Sequence, residues 1–143
     1  MTSHLLRRMI VPLATEDDAR RTCEALKRHL DEEAHIYVVH VIEKGGGAPD
    51  KAPIGARQRQ ATEIFELAET MLEPAGYKLE TEVRYGTDVV DEIVAAVDEH
   101  RGTAIAFVPR DGGRITRYLT GNKTRRLVAT DRVPVIALPN ESA

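Results

Sequence analysis

The chain has 143 residues, 42% of them apolar and 30% charged, with a net charge of −3; this fits a single globular domain over residues 1–143 and excludes a disordered tail or a repeat array. A lone cysteine, Cys23, rules out an internal disulfide and a cysteine-based zinc site and suits a reducing cytoplasm. No apolar run approaches the roughly 20 residues that cross a bilayer, and Arg7-Arg8 precedes a short strand-like run rather than a secretory signal, so a cytoplasmic protein without membrane insertion is expected.

Met9 to Leu13 reads as a first strand, broken by Pro12 and ending near Ala14. Thr15 stands at an N-cap position, with Glu16, Asp17 and Asp18 at the positive end of the helix dipole. Ala19, Cys23, Leu26 and Leu30 then give that helix one buried stripe, on which Cys23 is inert packing. His35 to Ile42 is nearly continuous apolar sequence, as expected of a parallel strand covered on both faces, and His40 inside it reads as a hydrogen-bonded core histidine. Glu43 to Ala56, with four glycines and two prolines, reads as a long loop.

Helical spacing returns at Ala61, Ile64, Phe65, Ala68, Met71 and Leu72 and is closed by Pro74 and Gly76. Leu79, Thr81, Val83 and Tyr85 alternate with charged residues, which marks a strand at a sheet edge, and Gly86 turns the chain. Thr87 or Asp88 caps a helix with Val90, Ile93, Val94 and Val97 on its apolar face. Thr103 to Val108 is a buried fourth strand, a basic loop and helix occupy Asp111 to Thr130, and Val133 to Leu138 is a fifth strand. Strand and helix alternate throughout, so a doubly wound five-stranded parallel sheet of the α/β class is expected. With strand order 3-2-1-4-5, a ligand would sit where the winding reverses, between the first and fourth strands.

That position singles out Leu13 and Ala14, and the segment from Val108 through Pro109, Arg110, Gly112, Gly113 and Arg114 to Thr120, Gly121, Asn122 and Lys123. Glycines allow backbone N–H groups to approach an oxygen-rich group, and Asn122 is suited to cap a helix running through Leu127 and Val128. Arg110, Arg114 and Lys123 would add charge, bidentate from arginine and point-like from lysine. Seven Lys or Arg against two Asp between Arg110 and Arg132 make this stretch +5, open to an anion or simply to a solvated helix face. A P-loop is excluded, because Lys does not directly follow Gly121 and position 116 is Thr. No enzyme is indicated: the five histidines are scattered without metal-ligand spacing, and the only serines, Ser3 and Ser142, lie near the termini.

The order of elements, Ile10-Val11-Pro12, His40-Val41, Tyr85-Gly86 and the stretch from Gly121 to Pro139 together resemble the universal stress protein (UspA-like) family over about Arg8 to Pro139. That resemblance implies a HUP-type fold similar to the adenine nucleotide alpha hydrolases, a role in stress response without catalysis, no required cofactor, and ATP as the ligand of a family-type site. Val41 joins the nucleotide candidates on this basis. The family's ATP-binding members carry G-x2-G-x9-G-[ST] after the fourth strand and an Asp near the end of the first. Placing Gly121 on the last glycine puts Asp111 and Val108 on the other two, Asn122 on the Ser or Thr, and Ala14 on the strand-one Asp. The site is therefore degenerate, or remodelled through Gly112 and Gly113 into a nucleotide-responsive switch. The resemblance also implies a homodimer paired through Val133, Val135, Ile136, Ala137 and Leu138, since pairing satisfies an apolar edge strand. A soluble regulatory module acting on a transporter or another protein is a further reading. No specific nucleic-acid partner is indicated, because no recognition motif accompanies the basic stretch.

Overall fold

The computed structural model describes residues 5–44, 54–109 and 121–139, with backbone alone at 54 and 121–124. Five parallel strands, β1 (Arg8–Pro12), β2 (His35–Glu43), β3 (Lys78–Gly86), β4 (Ala104–Phe107) and β5 (Val135–Ala137), lie in the order β3-β2-β1-β4-β5. The helices α1 (Glu16–His29), α2 (Ile54–Leu72), α3 (Val89–His100) and α4 (Gly121–Val128) complete the alternation. This is the doubly wound sheet expected from the sequence, with its reversal between β1 and β4.

Strand sequences explain the two cores. Alternate β1 residues face opposite ways: Met9 and Val11 join a cluster with Cys23, Leu26, Ile64 and Leu72 under α1 and α2, whereas Ile10 joins Tyr37, Ile93, Phe107 and Leu127 under α3 and α4. β1 and β2 are buried on both faces, as central parallel strands must be. β3 is the charged edge, and its side toward α3 is held by polar contacts. Arg84 meets Glu82 and Glu92 at 3.1 Å each. His100, at the end of α3, reaches Glu82 at 3.1 Å and stacks on Tyr37, which stacks in turn on His35.

Caps set the helix limits where the sequence supplies them. Thr15 Oγ1 accepts the Asp18 N–H, and Asp88, not Thr87, caps α3 by accepting the Asp91 N–H at 3.0 Å. Several boundaries differ from expectation. Gly86 still pairs with Glu43 as the last residue of β3, so the turn follows it. Helix α2 already begins at Ile54, inside the span expected as loop. Helix α4 begins at Gly121, which makes Asn122 its second residue rather than its cap. β5 is three residues long, because Pro134 has no N–H to give to the ladder and contributes only its carbonyl, to Ile105.

Candidate functional site

At the end of β1 the chain turns from Leu13 into α1 through a compact hydrogen-bonded knot. Leu13 N–H donates to Val39 O at 2.9 Å, and the Leu13 carbonyl accepts from His40 Nδ1 at 2.8 Å. A carbonyl can only accept, so Nδ1 carries the proton in this contact. Asp18, 8% exposed, sends Oδ2 back to the Ala14 N–H at 3.1 Å while Thr15 accepts the Asp18 N–H. This is a capping box displaced by one residue, reaching the residue before the cap instead of the cap itself. Arg21 lies 3.3 Å from the other Asp18 oxygen. A carboxylate thus stands beneath Ala14, engaged by backbone and by arginine, although position 14 itself has only a methyl group.

Leu13, Ala14 and Val41 are all buried in the cores, so what they can offer a ligand is shape rather than polar side chains. Pro109 is half-buried just beyond β4. Arg110, Gly112, Gly113, Arg114 and Thr120, together with Asp111, lie outside the described residues, and Gly121, Asn122 and Lys123 are placed only as the backbone of the first turn of α4. As the crossover between parallel strands β4 and β5, α4 runs opposite to them, so that turn lies at the carboxyl end of the sheet with the Leu13–Asp18 knot. Its orphan N–H groups suit an anion.

Two arginines of the basic stretch are already paired. Arg126 forms a fork with Asp88, Nη1 to Oδ2 at 2.9 Å and Nη2 to Oδ1 at 3.2 Å, and lies 3.6 Å from Asp91. Arg132 is hydrogen-bonded to Asp98. The Arg126 guanidinium holds the Asp88 carboxyl below its ordinary range. The sequence offers Thr87 or Asp88 as the cap and gives no sign of the Arg126 partner, since a pair 38 residues apart leaves no periodic signal.

Among the residues proposed for pairing between chains, Ala137 is exposed; Val133, Val135 and Ile136 are half-buried; Leu138 is 7% exposed and belongs to its own core. A cavity of about 300 Å³ beside β5 is lined by Leu6, Met9, Leu26, His29, Ala106 and Ile136, among others. Among the described residues there is no group of acids, histidines or cysteine able to hold a metal, and no helix long and apolar enough to cross a membrane.

A doubly wound sheet with its polar knot and a helix opening at the winding reversal defines an α/β protein of the kind that takes ligands beyond the strand ends. The chain belongs to the universal stress protein family, whose model matches residues 6–139. No curated protein matches it significantly. Among solved structures it is similar to a universal stress protein from Archaeoglobus fulgidus in complex with dAMP, at 21% identity and TM-score 0.65, covering 94% of this chain and 98% of that one. A universal stress protein family protein from Arabidopsis thaliana with AMP bound gives 14% identity and TM-score 0.66, covering 95% and 93%. One from Burkholderia pseudomallei gives 15% and 0.70, covering 96% and 99%. At these identities the likeness establishes the fold.

Proposed function

We propose that this universal stress protein is a non-catalytic cytoplasmic homodimer acting in stress response, with a degenerate adenine-nucleotide site at the β1–β4 reversal. The observation that carries the proposal is the Ala14–Asp18 pair. Where a family-type site would present a carboxylate to the nucleoside, the chain has a buried methyl, and its nearest carboxylate on α1 is bound to the Ala14 N–H and to Arg21. Relatives crystallised with dAMP and AMP support an adenine nucleotide as the ligand to test. Val108 and Asp111, standing where glycines would admit a triphosphate, favour weak binding that gains little beyond the first phosphate.

Calorimetry with AMP and with ATP plus Mg2+ tests this directly. The expected dissociation constants agree to within about threefold. ATP binding tighter than AMP by more than about tenfold overturns the degenerate site and favours the second reading, a switch remodelled through Gly112 and Gly113. That reading is supported by α4 opening at the same end of the sheet as the knot, and it requires Lys123→Ala to abolish the advantage of ATP. Light scattering tests the association state. The expected mass is that of two chains, and Ala137→Arg on the exposed edge should return the mass to one.

A further inference from the structure

Helix α4 has eight residues, too few to hold its shape without tertiary contacts. Among its described side chains only Leu127 is buried, while Val128 is 55% exposed. Leu127 sits in the last turn, so a contact off the helix axis helps to fix where the first turn points. The residue beside Leu127 supplies it. Arg126 reaches across to Asp88 with two bonds of 2.9 and 3.2 Å, the fork geometry that fixes direction as well as distance. Asp88 is itself held, because it caps α3 through the Asp91 N–H. Arg132 on Asp98 fastens the segment after α4 to the far half of the same helix.

We propose that Arg126 is a positioning residue: its clamp on Asp88 fixes the stance of α4 beside the cleft and so sets how well the helix's first turn meets a phosphate. The proposal rests on the reading of the cleft as an adenine-nucleotide site. It goes beyond that reading in assigning phosphate recognition to an ion pair on the outer surface, between residues that need not touch the ligand. A hydrogen bond weakens steeply once its length and angle depart from the preferred range, so a small roll of α4 costs the phosphate its contacts and leaves the base and sugar untouched.

Asp88→Asn keeps a good cap for α3 and removes the charge from the clamp; Arg126→Gln removes the other partner. Both are to be compared with wild type by amide hydrogen exchange without ligand and by calorimetry with adenosine and AMP. In both variants, exchange over Gly121–Val128 should rise by about two- to fivefold, the range of an exposed ion pair, with α3 unchanged in Asp88→Asn. The preference for AMP over adenosine should shrink by a similar factor while adenosine affinity holds, and Arg126→Lys should fall between. Unchanged exchange in α4 overturns the clamp. Equal weakening of adenosine and AMP shows a merely structural role and overturns the positioning. A wild-type protein that binds AMP no better than adenosine, with α4 exchange still clamp-dependent, instead defeats the phosphate reading on which the positioning role depends.

Discussion

His40 is a polar side chain inside an otherwise apolar strand, 6% exposed, and its Nδ1–H satisfies the carbonyl of Leu13 across the sheet. His40→Leu keeps the volume and loses this bond, and should cost about 1 to 3 kcal/mol in urea unfolding. Cys23 is fully buried, and burial pushes its thiol up to about 12. The reactive thiolate is therefore scarce at neutral pH, and a thiol reagent should label the native protein far more slowly than the protein in denaturant. Fast native labelling would mean that α1 opens locally. Both residues were legible in the sequence, because each interrupts or joins a clear apolar pattern. The bond from Asp18 to Ala14 and the grip of Glu82 and Glu92 on Arg84 were not, since they depend on where a turn and two separate elements place their side chains.

At the scale of elements, the end of α3 shows how chain direction is fixed. Arg101 closes the helix at φ 53, in the left-handed region, and donates its N–H to Val97 O. A side chain there costs roughly 1 kcal/mol or more relative to glycine, so Arg101→Gly should raise the unfolding midpoint. The next residue is constrained in the opposite sense, because a Cβ on Gly102 would come within 2.6 Å of Ile10 Cγ1. Gly102→Ala should therefore destabilise by about 1 to 3 kcal/mol through overpacking, and a neutral result would show that Ile10 gives way easily. Helices with a side-chain cap, α1 and α3, were placed closely by sequence reading. The start of α2 was not, since glycine and proline between Glu43 and Ala56 suggested loop up to the point where apolar spacing begins.

For the whole molecule, the clamp adds a pH dependence whose direction follows from Asp88. Its carboxyl is held below the ordinary 3.8 in the folded protein, first by the hydrogen bond from Arg126. The corresponding stability is present above 3.8 and is lost as pH falls through the lower, folded value. Asp88→Asn should accordingly lower stability at neutral pH, match wild type at acid pH and so flatten part of the acid limb of a stability-against-pH curve; an identical acid limb would show that the pair is silent in solution. A doubly wound parallel sheet with apolar central strands was readable from sequence because alternation and apolar runs imply it, whereas the order 3-2-1-4-5 was a supposition that those patterns do not fix. The strapping of α4 onto α3 was not, because it is made by surface charges distant along the chain.

The two margins of the sheet are chemically unlike. One carries the alternating charges of Lys78, Glu80, Glu82 and Arg84; the other ends in the short, largely uncharged Val135–Ala137. Strand addition is discouraged by charge and invited by a plain apolar border. Among the described residues, the apolar margin is therefore the one that favours strand addition. Like-with-like joining on that side consumes it in both participants and leaves nothing for a third. Under the proposed pairing, the asymmetry works against endless stacking of chain on chain.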